Sequence, residues 1–247
     1  MREHWALIAI FALVACAPSR EGSPPTGVLP DAGETRVFGT LHALMHEGKT
    51  GPEVALSSIA PGPPAYAVGA LSELRGEVTV LDDVVWLAYP NDDGTARVTK
   101  VRTTGEQAAL LVTANVAAWR RIPIAVAVAP DKLDDEIERL AQANDVDLTR
   151  PVPLLIEGDF ADLDWHVIDG RKMATAKTHE EHAAAAVRGS VMRAKGTLVG
   201  FFSTRHQGVF THMSKKTHFH VVLPAEGVSG HVDAVTLLQG ATLLVPR

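Results

Sequence analysis

Three histidines lie close together in THFHVVLPAEGVSGHVDAV, residues 217–235, among strand-forming neighbours. Residues i and i+2 of a β-strand point to the same face, so His218 and His220 share one side of the sheet. A four-residue turn at 224–227 would place His231 directly opposite His220 on the next strand, again on that side. Three converging imidazoles with a fourth position left open are typical of a catalytic zinc site, because structural sites usually have four protein ligands.

The alternative interpretation is that the same histidines are partly exposed polar residues on a sheet face. The pair spacing and the cross-strand register together favour a metal site. Zinc is the first expectation for three imidazole ligands, and other divalent transition metals remain alternatives. A zinc-binding β-hairpin is therefore predicted near the C-terminus.

The elements around this hairpin are mainly strands. Alternating runs meet at a hairpin-like turn, Asp82-Asp83, and 151–169 is strand-like. The apolar segment IPIAVAV (122–128) predicts a buried strand, and the helical period of 131–145 predicts a helix. Strands outnumber helices and do not alternate with them, so the predicted fold class is α+β, with mixed and antiparallel β-sheets in two parts that pack together.

The N-terminal segment predicts export rather than folded structure. Residues 1–15 resemble a signal peptide that ends in a bacterial lipobox, with Cys16 as the lipidated residue. Residues 16–33 are rich in Pro, Gly and Ser and predict a flexible tether. The remaining chain is divided into an N-terminal α/β part, 34–150, and a C-terminal metal-binding β part, 151–247.

The expected location is a bacterial membrane surface facing the periplasm or the cell exterior, with membrane contact only through the lipid anchor. The alternative is a plain secretory signal in which Cys16 is incidental. Cys16 is the only cysteine, which excludes an intrachain disulfide and thiolate metal ligands in the body. The net charge of −6 and the lack of a basic stripe argue against a nucleic-acid partner.

Four sets of motifs follow one another along the chain: VFGTLHALM (37–45), VGALSELRGEVTVLDDVVW (68–86), LLIEGDFADLDWHVI (154–168), and GTLVGFF (196–202) followed by THFHVVL and SGHVDAV. The last set contains an HxH pair and a third histidine eleven residues later. In these motifs and in their order, the chain resembles one known family, the α-acetolactate decarboxylases. The resemblance runs from about residue 36 to residue 245.

The resemblance implies a zinc enzyme that converts 2-acetolactate to acetoin and CO₂ without a redox cofactor. It assigns His218, His220 and His231 as metal ligands and Glu77 as an active-site glutamate that donates a proton or orients the substrate. Without the resemblance, an exposed strand carboxylate would be the preferred interpretation of Glu77. The family also suggests a homodimer, and the small-molecule partner is a keto or hydroxy acid.

Two positions depart from the family pattern. The family arginine that is expected to meet the substrate falls on His166, which we take as a second catalytic candidate. Arg171 could replace that arginine only after a shift in the loop. No acid follows Asp233, so the second glutamate of the family has no counterpart. The sequence therefore predicts an intact metal centre with an altered substrate-binding shell.

Two alternatives follow from these departures. One is a metal-dependent enzyme of the same fold that acts on a different β-keto or 2-hydroxy acid. The other is a non-catalytic periplasmic lipoprotein that binds a metal or a small ligand. The remaining histidines of interest are expected on the surface, and Trp165 in the core; these histidines are His42, His46, His179, His182, His206 and His212.

Overall fold

The computed structural model describes residues 33–59, 64–173 and 185–247. The predicted signal peptide, Cys16 and most of the tether lie outside the described residues, as do His179 and His182. None of the helices in the described ranges is long and apolar enough to cross a membrane.

The first sheet, sheet A, has seven strands, and every pair in it is antiparallel. Its spatial order is β1-β7-β3-β4-β5-β6, and β2 also pairs with β7. The strands are β1 (Arg36–Phe38), β2 (Val54–Ala55), β3 (Ala65–Leu71), β4 (Glu77–Leu81), β5 (Val84–Pro90), β6 (Ala96–Val101) and β7 (Gln107–Asn115).

The second sheet, sheet B, has six antiparallel strands, four of which close into a ring. The ring runs from β9 to β10, β11, β12 and back to β9. The strands are β8 (Trp119–Pro123), β9 (Val152–Ile168), β10 (Ala186–Phe202), β11 (Thr217–Leu223), β12 (Val228–Leu237) and β13 (Thr242–Pro246).

Within the described residues, three short α-helices accompany the sheets: α1 (Leu41–His46), α2 (Leu133–Gln142) and α3 (Gly170–Met173). In α2, Ile137 and Leu140 are buried while acidic side chains occupy its first turn, where they complement the helix dipole. One of these acids, Asp134, accepts hydrogen bonds from the Lys216 backbone N–H at 2.7 Å and from the Thr217 hydroxyl at 2.5 Å. The helix thereby holds the start of β11, the strand that carries His218.

An apolar layer joins the two sheets. Val68 and Val112 of sheet A belong to one buried cluster with Leu155, Val199 and Phe201 of sheet B. The α+β prediction with two sheets that pack together is confirmed, and the strand pairs within both sheets are antiparallel. Since β8 belongs to sheet B, the chain passes from one sheet to the other between residues 115 and 119. The proposed boundary at 150/151 stays a prediction.

The hairpin prediction at Asp82-Asp83 is confirmed, because both residues adopt positive φ (54° and 61°) between β4 and β5. The prediction of a buried strand over 122–128 is wrong in its extent. Strand β8 ends at Pro123; beyond it Ile124 and Val128 are buried while Val126 is 62% exposed. An apolar run alone does not show where a strand ends.

Candidate metal centre

The predicted register of the histidine hairpin is confirmed, since His220 pairs directly with His231 across β11 and β12. His218 lies two residues before His220, on the same face. One ligand atom from each of the three rings lies within 4.8 Å of the others. The ring centroids are 4.9 Å apart for His218 and His231 and 5.2 Å apart for His218 and His220.

The interpretation as partly exposed surface histidines is wrong. His218 is 5% exposed and His220 is fully buried, and the ring of His231 is buried as well, at the wall of a cavity. Nδ1 of His218 and Nε2 of His220 are buried nitrogens without a hydrogen-bond partner. A buried polar atom without a partner is costly, so these two nitrogens point to a ligand that would satisfy them.

The opposite nitrogen of His220 is held by the protein. Nδ1 of His220 lies 2.9 Å from the Thr79 hydroxyl, which also accepts a hydrogen bond from Ser229. Metal-binding histidines commonly donate one ring N–H to the protein, which leaves the other nitrogen as the ligand. The donor set and these orphaned nitrogens fit a zinc ion.

Burial keeps the three imidazoles neutral at pH 7. It lowers the pKa of His218 to about 3, with a smaller effect from His212 nearby. Burial also holds the pKa values of His220 and His231 well below the ordinary value, and the neighbouring rings add to this. Neutral imidazole is the form that binds a metal, so no proton has to be displaced near neutral pH.

Glu77 reaches the histidine cluster from sheet A. Its carboxylate is 5% exposed, which contradicts the interpretation as an exposed strand residue. Oε2 lies 3.7 Å from Nε2 of His220, and Oε1 accepts a hydrogen bond from the Ile168 backbone N–H at 3.3 Å. Burial raises the pKa of Glu77 to about 7, against the opposing effects of His166 and the Ile168 N–H. Glu77 can therefore hold or release a proton near neutral pH.

His166 stands beside the cluster in a row that crosses four strands. Arg188 on β10 pairs with His166 on β9, His166 pairs with His231 on β12, and His231 pairs with His220 on β11. The His166 and His231 rings are 4.6 Å apart. Directly paired residues share a sheet face, so the row presents one guanidinium and three imidazoles to the same side.

Arg188 and Asp233 are site residues that the sequence did not reveal. Oδ1 of Asp233 lies 2.8 Å from Nδ1 of His166, and Oδ2 accepts a hydrogen bond from Arg188 at 2.7 Å. Arg188 follows a run of four alanines in the sequence, and the structure shows a strand from Ala186 onward. A signal for Asp233 was present, because it lies two residues after His231 on a strand.

Asp233 lies at a β-bulge. Val232 pairs with Trp165 and Ala234 pairs with Asp164, so Asp233 is the extra residue on β12. Its carboxylate reaches His166, on the side of the sheet that the period of two from His231 predicts. Trp165 faces away from His166 and is buried in the core, as predicted.

Arg171 does not replace the family arginine in this structure. Its guanidinium binds Asp169 at 2.9 Å and Asp92 at 2.6 Å, and it is absent from the cavity lining. His212 departs from its predicted surface role, because its ring lies at the cavity 5.5 Å from the ring of His231.

A cavity of about 440 Å³ opens in front of the cluster. Its polar wall contains the side chains already described: Glu77, His166, Arg188, His212, His218, His231 and Asp233. The remaining lining is largely apolar and includes residues of α1. A concave, mainly apolar pocket with a few convergent polar groups is the usual form of a small-molecule site.

Comparisons with known proteins identify the family of this chain and solved structures with the same fold. The family model for alpha-acetolactate decarboxylase matches residues 39–245. No curated protein matches the chain significantly.

Solved structures with the same fold include the alpha-acetolactate decarboxylase of Bacillus subtilis strain 168. It has a TM-score of 0.67 and 18% identity, over 86% of this chain and 85% of that one. The acetolactate decarboxylase of Bacillus subtilis subspecies spizizenii has a TM-score of 0.65 and 18% identity, with the same coverage.

A Staphylococcus aureus protein of unknown function, described as similar to alpha-acetolactate decarboxylase, has a TM-score of 0.63. It is 16% identical over 86% of this chain and 84% of that one. These structural likenesses support the fold, and the family match covers most of the sequence. The chain therefore belongs to the alpha-acetolactate decarboxylase family.

Proposed function

We propose that this protein is a zinc-dependent decarboxylase of 2-hydroxy-3-oxo acids, with 2-acetolactate as the reference substrate and acetoin and CO₂ as its products. The observation that carries the proposal is the pair of orphaned, buried nitrogens on His218 and His220, beside a buried glutamate. Zinc held by His218, His220 and His231 would supply Lewis-acid stabilisation of the negative charge that develops on the substrate oxygens.

We assign to Arg188 and His166 the binding of the substrate carboxylate. A guanidinium offers five N–H donors in a planar fork, so Arg188 can hold Asp233 and a second carboxylate together. Asp233 bonds to both Arg188 and His166 and so orients them toward the cavity. In this assignment, the function of the family arginine is carried by a residue one strand away from His166.

Glu77 is assigned the proton transfer. When the carbon–carbon bond to the carboxylate breaks, CO₂ leaves and its bonding electron pair remains on the substrate as an enediolate. A proton from Glu77 to the carbon then completes the hydroxyketone. In the metal-free protein, burial raises the pKa of Glu77 to about 7, which favours the protonated form that a proton donor needs. Because Glu77 belongs to sheet A and Arg188 to sheet B, the proton and the carboxylate group approach from different sheets.

The test is acetoin formation from racemic 2-acetolactate by the zinc-loaded protein, compared with the same protein treated with a chelator. Acetoin above the spontaneous background, lost with chelator and restored by zinc, is the expected result. An unchanged background rate in every sample would overturn the proposal. Racemic substrate is used so that the choice of enantiomer does not decide the outcome.

We also propose that the protein is exported and held at a membrane surface by a lipid on Cys16. The support is the lipobox-like sequence that ends at Cys16 and the Pro-, Gly- and Ser-rich segment after it. A Cys16→Ser variant of the full chain is expected to move from the membrane fraction to the soluble fraction. Membrane retention of that variant would contradict the anchor.

A further inference from the structure

The two walls of the cavity differ in chemistry. On sheet B, the row from Arg188 to His220 is entirely polar. On sheet A, Glu77 pairs with Ala70 on β3, and Ala70 pairs with Leu110 on β7. Cross-strand partners share a face, so the cavity wall becomes apolar immediately beside Glu77.

This apolar wall continues into α1 and the end of β9, and we call it the apolar lobe. Its members belong to one contact cluster, and all of them line the cavity; they are Leu41, Leu44, Ala70, Leu74, Leu110 and Ile168. Helix α1 is fixed over the lobe, because the Leu41 and His42 N–H groups donate to the Val209 and Gly208 carbonyls at 2.8 Å. The lobe is thus an apolar surface with a fixed position beside Glu77.

The cavity is larger than 2-acetolactate requires. That molecule has five carbons and four oxygens, which occupy about 270 Å³ even at the ~30 Å³ that a water molecule takes in the liquid. The cavity volume is about 440 Å³. The difference leaves room for roughly four to six further heavy atoms. An apolar surface of this kind binds an apolar group far better than it binds water.

We propose that the site takes a 2-hydroxy-3-oxo acid whose carbon 2 carries an apolar group of about four to six carbons, seated in the apolar lobe between Glu77 and α1. The proposal rests on the proposed decarboxylase function. The bond from carbon 2 to the carboxylate breaks, and its electron pair forms the enediolate. CO₂ leaves and Glu77 supplies the one proton that carbon 2 gains, so no oxidant or second substrate is needed.

The expected effect can be stated as a ratio of rates. Each buried methylene is worth about fourfold in binding, so the three extra carbons of a butyl group should raise kcat/KM over methyl by about tenfold to sixtyfold. The experiment measures kcat/KM of the zinc-loaded full chain for 2-hydroxy-3-oxobutanoates that carry methyl, ethyl, butyl or benzyl at carbon 2. A rise from methyl to butyl supports the lobe assignment, and equal values or a preference for methyl overturn it.

Two variants connect this preference to the lobe. Ala70→Leu fills the lobe beside Glu77 and is expected to remove most of the butyl advantage while the methyl substrate loses less. Leu41→Trp narrows the lobe from the partly exposed side of α1 and serves if Ala70→Leu lowers the melting temperature sharply. A butyl-to-methyl ratio that neither folded variant changes would contradict the proposal.

Binding without turnover separates this inference from the decarboxylase function. Simple 2-hydroxy-2-alkyl acids lack the 3-oxo group and cannot decarboxylate in the same way, so their affinities are measured by calorimetry. Tighter binding of the butyl acid than of the methyl acid, reversed in Ala70→Leu, supports the lobe even if no substrate is turned over. Equal affinities for the butyl and methyl acids would contradict the lobe assignment even if acetolactate is decarboxylated.

Discussion

The Thr79 hydroxyl lies 2.9 Å from Nδ1 of His220, although the two residues are 141 positions apart and belong to different sheets. Both side chains are fully buried. This hydrogen bond connects sheet A to the histidine cluster of sheet B, and it leaves Nε2 of His220 facing Glu77. The geometry of the cluster therefore depends on how the two sheets pack together as well as on the histidine hairpin.

Thr79→Val tests this connection, because valine keeps the shape of threonine and removes the hydroxyl. Zinc affinity is expected to fall by about 10- to 100-fold, the usual effect of losing an outer hydrogen bond to a ligating histidine. Competition with a chromogenic chelator measures it. The matched control is Thr113→Val, a fully buried threonine that bonds to the Tyr66 carbonyl. Equal zinc affinity in both variants would contradict the assigned role of Thr79.

Glu77→Gln removes the proposed proton donor and keeps the three histidine ligands. We expect kcat to fall by about 10²- to 10⁴-fold while bound zinc is unchanged. Glu157→Gln is the control, since Glu157 forms an exposed ion pair with Arg121. In the wild type, kcat should decline with rising pH as Glu77 loses its proton, and the zinc charge should bring that decline below the pKa of about 7 that burial sets in the metal-free protein. A rate that does not depend on pH would assign the proton transfer to another group.

Arg188→Gln tests the carboxylate site at the edge of the cavity. The loss of a charge-assisted hydrogen bond costs about 1.5–3 kcal/mol, so KM should rise by about tenfold to hundredfold, with a smaller change in kcat. Arg193→Gln on the same strand is the control, because Arg193 is exposed and does not line the cavity. The same KM in wild type and Arg188→Gln would show that Arg188 does not bind the substrate carboxylate.

The metal-free protein should lose stability in acid. The pKa values of His218, His220 and His231 are lowered on folding, so the unfolded chain takes up protons first as pH falls below about 6.5. Each histidine then lowers the free energy of unfolding by up to about 1.4 kcal/mol per pH unit. Glu77 has the opposite effect between pH 7 and 4.5. Its pKa is raised on folding, so the folded protein takes up this proton first as the pH falls.

Three histidines outweigh one glutamate, so the free energy of unfolding of the metal-free protein should decrease from pH 6.5 to pH 5. Urea unfolding at these two pH values measures it. Zinc should add stability at pH 6.5 and less at pH 5, because protons compete for the same nitrogens. A metal-free protein that is equally stable at both values would show that the three rings are not buried as neutral groups.

The histidine hairpin could be predicted from sequence because its signals are local. The period of two along β11 and the four-residue turn at 224–227 fix which rings meet. The proximity of Glu77 to the cluster came only through the family resemblance, because that contact depends on how two sheets approach each other. No local pattern in β4 encodes the approach.

Arg188 and Asp233 were missed for two different physical reasons. Arg188 follows an alanine-rich run with helical character, and its strand conformation is imposed by pairing along β9. Asp233 lies two residues after His231, so the period of two did place it on the ligand face, but its partners His166 and Arg188 come from other strands and no local pattern reveals them. The predicted strand over 122–128 was too long because tertiary contacts, which no local pattern shows, decide whether an apolar run continues as a strand.

The central claim is tested most directly by titrating zinc into the metal-free protein while acetoin formation from racemic 2-acetolactate is followed. Activity should rise with added zinc and level off at about one equivalent per chain, as expected for a single three-histidine site. His220→Ala should stay at the spontaneous background, and His46→Ala, on the exposed face of α1, should match the wild type. Acetoin formation that is independent of zinc, or equal in His220→Ala and wild type, would contradict the account.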